Sequence, residues 1–268
     1  MKKWILLFGV FLSFGAYAET SGTCGPRSGS GTDEDPYVYA DNCQWTLDDN
    51  GKLTITGTGD MGEHEYFDAP WGHDITEVSI SGISSIAIHA FVASPNLTKV
   101  DIADSVISIG SYAFESCIRL SDISLSSSLS FLGEGVFSDC SLLETLVLPD
   151  SLFEGNSSLL THALSGSNIN NLICSPEKQS ACQAYLESAL EYYHNPPEYW
   201  LTRPLSGKEN IKVSTYTTDG DKIFYQNRWY SSANDIISGN YIPKRIYTID
   251  EANAVTKPTG NRVSIRYR

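Results

Sequence analysis

Ser105-Val106-Ile-Ser-Ile109-Gly110-Ser-Tyr-Ala113-Phe114-Glu-Ser-Cys117-Ile-Arg-Leu120-Ser-Asp-Ile123 is answered 23 residues later by Ser128-Leu129-Ser-Phe-Leu132-Gly133-Glu-Gly-Val136-Phe137-Ser-Asp-Cys140-Ser-Leu-Leu143-Glu-Thr-Leu146. One period earlier, Ile86, Phe91, Leu97 and Val100 fill the slots of Ile109, Phe114, Leu120 and Ile123. A fixed period in the low twenties, with apolar residues returning to the same slots, is the signature of a solenoid. Its coils bury their apolar faces only against one another. Such a chain offers a surface before it offers chemistry.

The register extends to Ile80-Ser-Gly-Ile83-x-x-Ile86-x-x-x-Ala90-Phe91, and inter-repeat turns stand at Asp104-Ser105-Val106 and Pro149-Asp150-Ser151-Leu152. The last block is degenerate, with Ala163-Leu164 in place of Ala-Phe and a changed spacing through Ser167-Asn168-Ile169, Leu172 and Cys174. Terminal repeats drift because they cap the stack. These blocks resemble the BspA-like leucine-rich repeat family over residues 43–174. The resemblance implies a β-rich leucine-rich repeat solenoid and a class of function: adhesion, host-surface contact and microbe-to-microbe binding. Ahead of the repeats, Cys43-Gln-Trp45-Thr-Leu47 and Lys52-Leu53-Thr-Ile55 alternate about Asn50-Gly51, a strong hairpin signal. With Gly57-Thr-Gly59-Asp60-Met61 and Pro70-Trp71, this hairpin is similar to that family's N-terminal cap.

The expected organisation is a signal peptide at 1–18, an N-terminal β cap at 19–75, repeats at 76–174, a capping helix at 175–193, a linker at 194–210 and a small basic α+β module at 211–268. Lys2 and Lys3 precede an apolar run from Trp4 to Phe14, and Ala16-Tyr17-Ala18 supplies a small-x-small site for cleavage before Glu19. The run is too short for a comfortable span, so no transmembrane segment is expected after cleavage. In 175–193 the helix signals are Ser175 at the cap position, Pro176 at the first turn, and an apolar stripe of Ala181, Ala184, Tyr185, Ala189 and Tyr192. In the module, strands are expected at 211–213, 222–225, 228–230 and 262–267, with strand then helix over 244–255.

Once Lys2 and Lys3 are removed, 16 basic side chains face 32 acidic ones. The surplus of acid lies before residue 203, while 203–268 carries 11 basic and 6 acidic residues. An acidic repeat body argues against nucleic acid as a partner, because phosphate demands the opposite sign. Six cysteines in an exported chain invite disulfides, and Cys24 with Cys43 and Cys174 with Cys182 are the expected pairs. Cys117 and Cys140 share one slot of adjacent coils and read as a buried ladder of small side chains.

No nucleophile elbow, phosphate loop or His-Glu-x-x-His motif is present, and the histidines stand singly in different blocks. No enzyme, cofactor or metal is expected. The chain reads as a secreted or surface-associated protein, in a periplasmic or external compartment, that binds a protein or glycan through its β face. Strand alternation points Thr98, Lys99, Asp101, Ser121, Asp122, Ser124, Glu144, Thr145, Asn170 and Asn171 outward. An alternative treats the solenoid as a stalk and the basic module as an arm docking on an anionic surface partner. A hydrolase is a third reading that no motif supports.

Overall fold

Two alternating strands open the fold because one face is apolar and the turn between them is chemically specified. The computed structural model describes residues 20–29, 32, 38–64, 66, 68–154, 163–164, 167–194, 212–219, 222–226, 228–239 and 241–242. The signal segment, residues 195–210 of the expected linker and the elements expected over 244–267 lie outside these residues. The cap comprises β1 (Ser21–Thr23), β2 (Arg27–Ser28), β3 (Val38–Tyr39), β4 (Cys43–Leu47) and β5 (Lys52–Asp60). β4 and β5 pair antiparallel with Leu47 opposite Leu53, and Trp45, Leu53 and Ile55 face the core. Asp48 Oδ1 accepts the backbone N–H groups of Asn50 and Lys52, each at 2.9 Å, which shapes the turn. Gly51 takes the left-handed φ of 79° that this turn requires. The Cys24–Cys43 disulfide ties the start of the cap to β4.

From β5 onward the pairing turns parallel. β6 (Glu77–Ile86), β7 (Lys99–Ile102) and β9 (Asp122–Ser124) continue the sheet as successive rungs. A second parallel column joins the end of β6 to β8 (Ser108–Ile109) and β10 (Phe131–Leu132). The ladder then breaks. β11 (Thr145–Val147) does not pair with β9 but starts a separate sheet with β12 (Asn171–Cys174) and β13 (Lys212–Thr215). The strand expected at the start of the C-terminal module is therefore a further rung of the solenoid.

Behind the rungs runs an aromatic column. Trp71 from the cap stacks on Phe91 at 5.4 Å between ring centroids, Phe91 on Phe114 at 5.0 Å, and Phe114 on Phe137 at 6.0 Å. The backbone beside the rings is stitched between coils, with the Phe91 N–H donating to Ala113 O at 2.8 Å and the Phe114 N–H to Val136 O at 3.0 Å. The repeated core residues Ile86, Leu97, Val100, Ile109, Leu120, Ile123, Leu132, Leu143 and Leu146 are all buried around it. Cys117 and Cys140 are buried free thiols, each directed at the carbonyl of the phenylalanine one coil back, Phe91 at 3.2 Å and Phe114 at 3.1 Å. Burial pushes the Cys117 thiol up to about 12 and Cys140 in the same direction, so both are inert packing groups.

Two further slots show how tightly the coils approach. A Cβ on Gly110 would lie 2.6 Å from the Ile88 nitrogen, and one on Gly133 would collide with the Ser111 backbone. The first coil has Ala87 at this slot, where its neighbour is the cap rather than another coil. Left-handed backbone recurs with the same period, at His89, Tyr112 and Gly135 and again at Ala93, Ser116 and Asp139.

The end of the stack is covered by α1 (Gln179–His194), which follows a short 3-10 turn at Pro176–Lys178. The helix turns Cys182, Tyr185 and Leu186 inward, whereas Ala184 of the expected stripe is exposed. Cys182 on the inward side is joined to Cys174 of β12 by a disulfide. Ser175 occupies the cap position by its backbone, but its side chain makes no capping hydrogen bond. Beyond β13 come β14 (Thr217–Asp219), β15 (Lys222–Tyr225), β16 (Arg228–Tyr230), the single-turn α2 (Asn234–Ser238) and β17 (Tyr241–Ile242). β14 to β17 form an antiparallel sheet in chain order.

Phe114 has a ring on each side, so Phe114→Ala is expected to cost about 3–5 kcal/mol, read as a lower urea midpoint. A second prediction concerns His64, packed edge-on against Trp71 at 5.1 Å and only 4 % exposed. Burial, with Arg27 adding to it, pushes the imidazole down to about 4 from an ordinary 6.5. The neutral ring therefore stabilises the fold fully above pH 6.5, and that contribution, about 3 kcal/mol, is lost as pH falls through 4. His64→Gln should flatten the dependence of the urea midpoint on pH across this window.

Candidate binding face

The outward positions of the front rungs form two registered rows. Lys52, Glu77, Lys99 and Asp122 stand opposite one another across β5, β6, β7 and β9, and Thr54, Ser79, Asp101 and Ser124 form the row beside them. The first row alternates in sign. Lys52 Nζ lies 3.9 Å from Glu77, and Lys99 Nζ lies 3.9 Å from Asp122 and 3.4 Å from Asp101. Opposite charges at directly facing positions favour this register, although each partly exposed pair is worth less than about 1 kcal/mol. The front of the face is thus a mixed, self-compensated polar surface within an acidic body.

The rear rungs differ. The first row continues as Thr145, Asn171 and Lys212, but the second becomes Val147, Ile173 and Ser214. Val147 and Ile173 are buried under Tyr225 and Tyr230, with Tyr216, Ile223, Ala233, Ile236 and Ile237 packed around them. Alternation alone did not disclose these two outward apolar residues. The available signal was the unbroken apolar runs Leu146-Val147-Leu148 and Leu172-Ile173-Cys174, which mark strands covered on both sides.

The expected face residues divide accordingly. Ser121 and Glu144 are exposed, while Lys99, Asp101 and Ser124 are half-buried. Thr98 is half-buried and its hydroxyl donates to Thr76 O at 3.1 Å. Asp122 meets Ser238 of α2, whose hydroxyl lies 3.0 Å from both carboxylate oxygens. Partial burial raises the Asp122 carboxyl above the usual range, against the lowering influence of Ser238 and Lys99, with Asp101 and Glu77 raising it further. Asn171 is half-buried and held on both sides: its Oδ1 accepts from the Ser214 hydroxyl at 2.8 Å and its Nδ2 donates to the Tyr225 hydroxyl at 3.3 Å. Thr145, Asn170 and Asn171 line an open cleft of about 430 Å³ with Lys212, Ser214, Tyr225 and Gln226.

Among the described residues no three His, Cys, Asp or Glu side chains come together in a way that could hold a metal ion. Among those residues no helix is long and apolar enough to cross a membrane.

With the stacked coils and their face in view, the sequence profile described as BspA type Leucine rich repeat region matches residues 70–186 in six copies. The repeat region is of the BspA type. Among solved structures, the chain is similar to a leucine-rich repeat protein from Eubacterium ventriosum, at 22% identity and a TM-score of 0.44, covering 71% of this chain and 46% of that one. It is also similar to a leucine rich cell surface protein from Faecalibacterium prausnitzii, at 24% identity and 0.34, covering 51% and 32%. A leucine-rich repeat protein from Bacteroides capillosus shares 24% identity at 0.34, with 51% and 96% covered. The chain thus spans less than half of the first two structures, and these likenesses concern the fold alone. No curated protein matches the chain. A BspA-type repeat region points to a role in protein interaction.

The alternating row generates a direct test. A double-mutant cycle on Lys99→Ala and Asp122→Ala should give a coupling below about 1 kcal/mol that fades between low and 1 M salt, measured by urea unfolding.

Proposed function

We propose that this is an exported interaction protein that holds a protein or glycan at a cell surface through the open front of its sheet face. The observation that carries the reading is the registered polar surface on β6, β7 and β9. There Lys99, Asp101 and Ser124 are fixed to within a rung spacing by an apolar spine, and Ser121 stands exposed at the entry to β9. A rigid array of mixed charge and hydroxyl groups suits recognition, because little side-chain freedom remains to be lost on binding. Export is supported by the charged, apolar and small-residue pattern of 1–18 and by two disulfides, which persist in oxidising compartments.

The size of the open face sets the strength of the contact. Four front rungs at about 4.8 Å each span on the order of 20 Å, a small platform for which modest single-site affinity is expected unless copies cluster.

The test is to screen fluorescently labelled residues 19–268 against immobilised extracellular proteins and a glycan array, and then to repeat the positive spots with Lys99→Glu combined with Asp101→Lys. Capture by at least one spot, lost at least tenfold in the variant at an unchanged melting temperature, is the expected result. Capture that is indifferent to the substitutions, or absent throughout, contradicts the reading.

A further inference from the structure

The rear of the sheet face is not bare, and what covers it belongs to the same chain. In the period of the solenoid, Asp122, Ile123 and Ser124 should face Thr145, Leu146 and Val147 in register, as Lys99 to Asp101 face Asp122 to Ser124. They do not pair, and the aromatic column beside the break widens from 5.0 to 6.0 Å. α2 packs against both β9 and β11, lying across the seam.

The end of the seam is closed by different chemistry from the first interface. At the first interface the Ala103 N–H donates to Ile80 O at 2.9 Å, closing the end of the ladder. The donor slot two coils later is Pro149, which has no N–H to give. The acceptor at that level, Leu125 O, is satisfied instead by Asn234 Nδ2 of α2 at 3.2 Å. Four residues on, and therefore on the same side of the helix, Ser238 meets Asp122. The helix thus completes the seam with side chains where a neighbouring strand would have used backbone.

The covering layer is joined to the rear rungs by a small core. Val147, Ile173, Tyr225 and Tyr230 form a cluster separate from the one that contains the aromatic column. β13 stays within the solenoid sheet, so the layer begins at Thr217, just after Tyr216. Lifting β14 to β17 with α2 would break the contacts at Asp122, Leu125 and Asn171 and uncover Val147 and Ile173, without touching Trp71, Phe91, Phe114 or Phe137. A layer held through a satellite core separate from the main one can open at lower free energy than the main core.

We propose that β14 to β17 together with α2 form a reversible lid on the rear sheet face, so that a partner reaching Asp122, Val147 and Ile173 must displace it. The lid is an internal occupant of the binding face and holds half of it closed. This rests on the reading of the sheet face as the binding surface, which the lid would regulate. Ile236 and Ile237, each half-buried in the satellite core, are the side chains whose change releases it.

The test is native-state hydrogen exchange on residues 19–268. Amides of Ile223, Trp229 and Ile236 are expected to exchange at least tenfold faster than those of Val100, Ile123 and Leu172. Ile236→Asp with Ile237→Asp should strip the remaining lid protection and leave the solenoid amides unchanged. The milder Asn234→Ala with Ser238→Ala should accelerate lid exchange several-fold, which keeps the test open if the first variant folds poorly. A synthetic peptide of residues 228–242, added in trans, should bind the Ile236→Asp, Ile237→Asp chain at least tenfold better than the unaltered chain, whose face is filled. Lid amides that exchange only with the solenoid, or a peptide that fails to distinguish the two chains, overturns the proposal. These readouts use no external partner, so they fail independently of the array experiment on the front face.

Discussion

The stack Trp71–Phe91–Phe114–Phe137 is the contact on which the rest of the molecule depends. Each ring is bulky, each is nearly or wholly excluded from water, and each lies at 5.0 to 6.0 Å from the next. A coil of this solenoid cannot bury its apolar side alone, so the rings join units that have no independent stability. Trp71 gives the cap the same chemistry as a coil, which is why a β-hairpin can end a ladder of repeats. The close approach that the rings permit also explains Gly110 and Gly133, where any side chain would meet the backbone of the coil before.

Because the spine fixes each rung, the outer face inherits its order from inside. Alternating charges on the front rungs and apolar side chains on the rear rungs are two uses of one geometry. In the front, solvent meets a surface whose charges already compensate one another. At the rear, the same slot holds Val147 and Ile173, and the chain folds back to cover them. The seam between β9 and β11 marks the boundary, and Pro149 occupies the slot that Ala103 fills at the first interface.

What was legible in the sequence was what repeats or is locally determined. Phe91, Phe114 and Phe137 announced the stack, Asn50-Gly51 announced the hairpin, and Cys117 and Cys140 announced their shared buried slot. The disulfides Cys24–Cys43 and Cys174–Cys182 follow from short, local brackets. The left-handed residues at His89 and Tyr112 were invisible because neither residue type demands that conformation. The inward side of α1 carries Cys182, joined to Cys174 of β12, a tertiary constraint that helical periodicity does not contain. The outward register of Lys99, Asp101 and Ser124 was legible by alternation, whereas the exposed Ser121 lies just ahead of β9. The burial of Asn171 and Asp122 was not legible, since it comes from residues more than 40 positions away in one case and 116 in the other.

The rings follow one another in chain order as a single column. A nuclear Overhauser spectrum of the chain carrying ring-selective isotope labels on phenylalanine and tryptophan reads this arrangement. Ring-to-ring contacts are expected from Trp71 to Phe91, from Phe91 to Phe114 and from Phe114 to Phe137, and none from Trp71 to Phe137. Rings in unrelated environments, or contacts that bypass Phe114, would contradict this arrangement.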